Sequence, residues 1–172
     1  AGGEKNVAIG NYAGDALTSA DYSVMIGHEA GSGVTTGGNN VFVGYNTGKT
    51  VTTSTGNTFV GTYIGFAGSG AGSSNTIIGD STATSLTGSD NTIVGQSTAN
   101  ALTSGIKNTI IGQYAGSGSL NTGSKNLLLG YDAGDNITSG DANVVIGKAD
   151  VASATGDRQL SISAGDGGVT WL

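Results

Sequence analysis

The sequence predicts an all-β protein built as a parallel β-solenoid of about nine 17-residue coils. Three observations carry that prediction. An apolar triplet closed by Gly returns along almost the whole chain, with its Gly at 10, 27, 44, 61, 79, 95, 112, 130 and 147, so the intervals are 17, 17, 17, 18, 16, 17, 18 and 17. The triplets are rich in β-branched residues and too short for a helix. Gly, Thr, Ser and Asn together supply 88 of the 172 residues while Pro is absent, a composition that suits many identical tight turns. A fixed period of this length marks stacked supersecondary units, each of which buries its apolar face only against its neighbours.

Composition removes several other classes. The 33 Gly would suit a disordered chain, but 36% of the residues are hydrophobic and only 10% are charged, so the apolar side chains must pack. Absence of Pro excludes a collagen helix, and Leu, Ala, Glu and Lys are too few for a coiled coil. Apolar runs reach only three or four residues, so no membrane insertion is expected, and no charged, apolar leader opens the chain, as expected of a mature or internal segment. A net charge of −6 and a pI near 4.3 oppose binding to nucleic acid or to an anionic lipid surface. Ten aromatics and one Met are little bulk for a round core at this length, which points to a thin, extended one. With no Cys, the redox compartment is left open.

The strands come first. The nine strings are NVAIG, SVMIG, NVFVG, NTFVG, NTIIG, NTIVG, NTIIG, NLLLG and NVVIG. One residue before the Gly stand Ile9, Ile26, Val43, Val60, Ile78, Val94, Ile111, Leu129 and Ile146; two before it stand Ala8, Met25, Phe42, Phe59, Ile77, Ile93, Ile110, Leu128 and Val145. Neighbouring strand residues point to opposite faces, so two adjacent apolar columns mean that both faces of the sheet leave water. One face can be the solenoid interior. The other requires a partner surface, and oligomerisation is the natural one. The sequence leaves open which column faces inward, although the size scatter of the Ala8, Met25, Phe42 column hints at the interface.

The turns follow. Seven residues after the Gly lies a second apolar slot, filled by Leu17, Val34, Val51, Leu86, Leu102, Ile137 and Ala154, with Leu120 displaced by one and Gly68 the exception. It reads as a returning strand, so each coil is strand, tight turn, strand, turn. Small pairs such as Ala13-Gly14 and Ala133-Gly134 lie between the two runs, where the chain must adopt positive φ or pass close to a neighbour. Asn at the strand entrance can stack amides into a ladder and tie down the turn; this structural role is assigned to Asn6, Asn40, Asn57, Asn75, Asn91, Asn108, Asn126 and Asn143. Charge is absent from all 45 positions between the Asn and Gly columns, because like charges stacked every ~4.8 Å would repel. Charges sit at corners instead: Lys5, Asp90, Lys107 and Lys125 in the column before the Asn, and Asp15, Lys49 and Asp135 in the column five past the Gly.

The solenoid is assigned to residues 1–156. From Asp157 to Leu172 the period breaks, and this segment holds the only Arg, Arg158, and the only Trp, Trp171. QLSIS and GVTWL, separated by AGDGG, read as a β-hairpin or a strand exchange that caps the stack or leads into a next module, with Trp171 as a packing anchor.

No catalytic, cofactor-binding or metal-binding residue is predicted. The single His, His28, reads as a turn-surface residue, since one His without Cys or a GxSxG elbow builds neither a triad nor a three-ligand zinc site. Two apolar strips per coil do not match the hexapeptide β-helix of acyltransferases, which needs three. Thr58, Thr76, Thr92 and Thr109 form a partial Thr rank of the kind that ice-binding solenoids present, interrupted by Val and Leu at both ends. Tyr12, Tyr63 and Tyr114 share one column, with Tyr45 and Tyr131 in the adjacent one. Exposed aromatics beside Asp and Asn can hold sugars by stacking and hydrogen bonding, so these three are the candidate receptor or glycan contacts; otherwise they cover the turn or a subunit seam.

The NxxIG strings, NVAIG at Asn6 to Gly10 above all, resemble the head repeats of YadA-like trimeric autotransporter adhesins, and repeats with this spacing and AG turns are similar to those of bacteriophage tail-fibre and appendage proteins. The C-terminal string ATGDRQLSISAGDGGVTWL resembles the exit region of such fibres. The resemblance implies a left-handed β-roll, assembly as a homotrimer and an extracellular location, on a virion or a bacterial surface. It implies a non-enzymatic shaft or head segment of a fibre that supports host attachment, with an adhesin head that binds host matrix or cells as the alternative. The coil length and the absence of a following stalk favour the phage-type reading.

Overall fold

The computed structural model describes residues 3–65 and 72–163. Gly68, the AGDGG string and Trp171 lie outside the described residues. The chain forms one parallel sheet in which ten short strands stack in sequence order: β1 (Val7–Ile9), β2 (Val24–Ile26), β3 (Val41–Val43), β4 (Thr58–Thr62), β5 (Thr76–Asp80), β6 (Thr92–Val94), β7 (Thr109–Ile111), β8 (Leu127–Leu129), β9 (Val144–Gly147) and β10 (Leu160–Ser163). Register is in step throughout, with Val24 opposite Val41, Thr76 opposite Thr92 and Leu127 opposite Val144. The parallel β-solenoid read from the repeat is therefore present, with no helix among the described residues.

The second apolar slot differs from expectation. Leu17 is partly buried and Val34, Val51, Leu86, Leu102, Leu120 and Ile137 are fully buried in the core, but the backbone there is turn, and each coil has one strand. The cause lies in the preceding residues. The second and fourth positions after the repeat Gly both take left-handed backbone, as at Tyr12 (φ 59°) and Gly14 (φ 59°) or Ser97 (φ 52°) and Ala99 (φ 53°), so the chain cannot run extended. Coils remain hydrogen-bonded through these turns, for example from Gly31 N–H to Thr47 O (2.8 Å) and from Thr103 N–H to Asn121 O (2.8 Å). In the ninth coil Val151 is buried and Ala154 only half-buried, so Val151 takes the slot that spacing alone gave to Ala154.

The inward column is the one two residues before the Gly. Met25, Phe42, Phe59, Ile77, Ile93, Ile110, Leu128 and Val145 are fully buried, whereas Ile78 and Ile111 in the adjacent column are 42% and 40% exposed. The hint that size scatter marked an interface is thus reversed, and volume compensation is the reason. Where the inner residue is Phe42 or Phe59, the facing turn position is Gly48 or Gly65; where it is Ile77 or Ile93, the turn position grows to Ala83 or Ala99. A Cβ at Gly48 would lie 2.7 Å from the Phe42 ring. Ile110 and Leu128 keep Gly116 and Gly134, so the compensation is partial, and the scatter is a matter of packing inside the core.

The Asn column forms a continuous ladder. Each Oδ1 accepts the backbone N–H of the next coil's residue in the same slot, from Asn57 N–H to Asn40, Asn108 N–H to Asn91 and Asn143 N–H to Asn126, each at 2.9 Å. Ser23, the one non-Asn member, serves in the same way through Oγ, which accepts Asn40 N–H at 3.2 Å. Each Nδ2 donates to a turn carbonyl of the following coil, as from Asn75 to Gly88 O (2.9 Å) and from Asn91 to Gly105 O (3.0 Å). Asn57 Nδ2, beside the gap in the described residues, is the exception and has no partner among them.

The C-terminal segment begins within the sheet. β10 pairs parallel with β9, Leu160 opposite Val144 and Ile162 opposite Ile146, and Gln159 N–H donates to Asn143 Oδ1 (2.8 Å). QLSIS is therefore a further strand of the same sheet, with Gln159 in the Asn slot. GVTWL lies outside the described residues.

Asn91→Ala strands the buried Asn108 N–H and Gly105 C=O at once. At about 1–3 kcal/mol for each unsatisfied group, the unfolding free energy should fall by at least about 2 kcal/mol, read as a lower denaturant midpoint at unchanged slope. A midpoint within error of the parent would show that the ladder contributes nothing.

Candidate functional site

Three surface features flank one another on the sheet. The first is its outer face, formed by the first and third residues of each strand: Val7 and Ile9 in β1, Thr76 and Ile78 in β5, Val144 and Ile146 in β9. Ten rows at a strand spacing of ~4.8 Å give a strip about 43 Å tall. It carries no charge, because the stacking that forbids like charges applies to both faces of the strand. Thr58, Thr76, Thr92 and Thr109 are aligned in register in the middle of this strip, with Val above and Leu or Val below.

The second feature is the margin just past the repeat Gly. β4 and β5 run on through Thr62 and Asp80, which pair in register, so this margin is the C-terminal edge of the sheet. Aromatic rings stack along it. Tyr12 meets His28 edge to face at 6.2 Å, His28 lies nearly parallel to Tyr45 at 5.3 Å, and Tyr45 meets Tyr63 edge to face at 5.3 Å. A separate pair, Tyr114 and Tyr131, is 6.0 Å apart, with Lys148 5.3 Å from the Tyr131 ring centroid. Spacings of this size arise because residues one coil apart are held at the strand spacing, and edge-to-face contacts suit the ring quadrupole. Burial is not what aligns them, since Tyr12 is 57% exposed.

Of the three tyrosines chosen from the sequence, Tyr12 and Tyr63 thus belong to one ladder, bridged by two rings of the adjacent column, and Tyr114 belongs to another. Sequence reasoning missed His28 as a member of that ladder. The available signal was its position next to Tyr45 in the same column, one coil away.

The third feature is the opposite margin, in the column before the Asn. Lys5, Asp90, Lys107, Lys125 and Arg158 all adopt left-handed backbone there, with φ between 56° and 62°, and are exposed. Immediately before them runs a second polar ladder that the sequence did not reveal. Glu4 N–H donates to Asp21 Oδ1 (2.6 Å), Ser73 N–H to Ser89 Oγ (3.0 Å) and Ser124 N–H to Asp141 Oδ1 (2.8 Å). Its polarity opposes the Asn ladder, because here the earlier coil donates to the later one. Ser and Asp supply the acceptors and Gly38 and Ile106 interrupt them, so the column has no single-letter signature.

Among the described residues no three His, Asp or Glu side chains gather as metal ligands, and no helix is long and apolar enough to cross a membrane. The chain matches no protein-family model, no curated protein and no solved structure.

The Tyr63 hydroxyl is held above its ordinary pKa, first by its hydrogen bond with the Tyr45 side chain, then by the charge Tyr45 would carry, by burial and by Asp80. The unfolded chain therefore ionises at this position before the folded one. The contribution is complete below about pH 10 and is lost as pH rises through the higher folded value. Ultraviolet titration should show one late-ionising tyrosine, and Tyr45→Phe should move it down toward the ordinary value. A titration unchanged by Tyr45→Phe would remove the Tyr45 hydroxyl as the cause.

Proposed function

We propose that this chain is a non-enzymatic structural segment of an extracellular fibre, a left-handed β-roll that assembles as a homotrimer and supports host attachment from a bacteriophage tail fibre or similar virion appendage. The observation that carries this reading is the outer strip. It is a continuous, uncharged, two-column surface of Val, Ile, Leu and Thr, about 43 Å tall and about 7 Å across between Cα atoms, or about 300 Å², the range of the largest and often functional patch on a monomer. It repeats without interruption along the stack, as a lateral contact between rods requires and a local ligand site does not. The resemblance of the NxxIG strings supplies three as the number of copies, the handedness and the fibre context.

Mechanically, the stack joins every coil to the next by backbone hydrogen bonds and the Asn-column ladder, with the second ladder adding rungs between many of them. Burying the strip between copies would remove its exposed apolar edge and make local fraying costly, so load passes along the rod to whatever attaches at its ends. A second reading, the head of a bacterial adhesin that itself contacts host matrix or cells, is favoured by the exposed Tyr12, His28, Tyr45 and Tyr63 ladder, which offers aromatic surface for a receptor or glycan.

Light scattering at micromolar concentration should give three times the chain mass of 16.7 kDa. Ile78→Asp with Ile111→Asp, both on the exposed column, should reduce that to one chain mass while the far-ultraviolet circular dichroism of the β-structure is kept. A parent protein that scatters as a monomer overturns the assembly. For location, an antibody to this chain should decorate appendages of virus particles in electron micrographs; decoration of bacterial envelopes alone would exchange the two readings.

A further inference from the structure

We infer that the copies associate in parallel and in register, and that Lys107 and Lys125 on one margin of the strip close onto Tyr114, and onto Tyr131 and Asp132, on the other margin of the neighbouring copy. This rests on the self-association proposed above and adds the seam, the orientation and the residues.

Both margins keep a fixed offset from the strip in every coil, so each can be treated as a charged line parallel to the stack. The margin before the Asn column bears four cations, Lys5, Lys107, Lys125 and Arg158, against one anion, Asp90. The margin past the Gly bears three anions, Glu29, Asp80 and Asp132, against one cation, Lys148, together with five tyrosines. The column next to it carries four anions, Glu4, Asp21, Asp141 and Asp157, which offset the cations at the two ends of the rod; beside Lys107 and Lys125 it holds the uncharged Ile106 and Ser124, so these two charges stand uncompensated. In coils seven and eight, opposite character therefore sits on opposite sides of one apolar strip.

Symmetry then selects the arrangement. Rotation about an axis parallel to the stack carries the basic margin of one copy to the aromatic, acidic margin of the next at equal height. A two-fold axis perpendicular to the stack would bring the basic margin against itself with the order of coils reversed, setting Lys5 beside Arg158. At equal height the pairs are specific. Lys107 and Tyr114 flank β7, and Lys125 flanks β8 opposite Tyr131 and Asp132. Neither of these two coils sets like charges across this seam. Lys107 and Lys125 are exposed and their ammonium groups have no hydrogen-bond or ion-pair partner among the described residues, while Tyr114 and Tyr131 are 38% and 49% exposed. Asp132 is held only at 3.8 Å by Lys148. Ammonium over tyrosine and ammonium to carboxylate are both favourable contacts, and stronger once the strip excludes water.

The native chain has no Cys, so introduced thiols report without interference. Positions 125 and 132 lie on either side of a whole strand and its Gly, seven residues apart, well beyond the Cα separation of about 4.4–6.8 Å that a disulfide spans, so any bond between them joins two copies. Under mild oxidation the Lys125→Cys, Asp132→Cys double variant should run as a covalent trimer on a non-reducing gel, and each single variant as a monomer. Lys125→Glu should weaken assembly about tenfold at low salt, with recovery in Lys125→Glu, Asp132→Lys. Cross-linking of the Lys125→Cys single variant with itself, or a trimer by scattering with no bond in the double variant, overturns the seam while leaving the assembly standing. A parent protein that scatters as a monomer overturns both.

Discussion

Every feature of this molecule depends on one constraint: parallel strands stacked in register place each residue directly on its own equivalent, one strand spacing away. A residue type survives at a given position only if it tolerates itself as a neighbour. Asn does so best at the strand entrance, because one amide supplies both an acceptor for the next backbone N–H and a donor for the following turn. The repeat Gly answers a harder form of the same demand. Its φ, 129–156° at all but the ninth of these glycines, is closed to side chains, and a Cβ at Gly61 would overlap the carbonyl oxygen of Gly79 one coil on. Charge fails the test inside the strand and passes it only at the corners, where water screens it.

Self-stacking also decides how the core can vary. Since no coil can borrow space from a differently shaped neighbour, a change of side-chain size has to be absorbed within the same coil or the next. Phe42 and Phe59 stack on each other at 5.1 Å and require Gly in the facing turn, while the coils of Ile77 and Ile93 accept Ala in a left-handed position that Ala ordinarily disfavours. Ile64 departs from its column in size: it is fully buried where the other coils place Ala or Thr, or in the ninth an exposed Asp150. A narrow solenoid thus tolerates a bulky residue anywhere along its length, provided the compensation is local.

This explains what the sequence disclosed and what it withheld. Period, strand positions, register and the Asn ladder were legible because self-stacking writes them as identical letters at fixed spacing. Inward and outward columns were not, since both are apolar and the deciding variable is a pairing between Phe42 and Gly48 or Ile77 and Ala83, six residues apart, which no single column displays. The returning strand was misread because an apolar slot reports burial and says nothing of φ; the left-handed residues at Tyr12 and Gly14 carry that information only in backbone geometry. The second ladder was hidden by chemistry, since Ser Oγ and Asp Oδ1 perform the same acceptance with different letters. Gln159 was hidden in the same way, as a longer amide that still meets Asn143.

The two uses considered for the aromatic margin make opposite demands on it, because a ring covered by a neighbouring copy is withdrawn from a receptor. The two halves of the rod differ in a way that bears on this. In coils seven and eight the opposite margin carries Lys107 and Lys125, suited to Tyr114, Tyr131 and Asp132. In coils three and four it carries Asn39 and Gly56, which offer Tyr45 and Tyr63 neither charge nor bulk. The Tyr12 to Tyr63 ladder instead satisfies itself, ring against ring, through His28 and the Tyr45 hydrogen bond with Tyr63. A seam held chiefly by its C-terminal coils would therefore leave the Tyr45 and Tyr63 end of the ladder as the part of this margin with least to lose from facing outward.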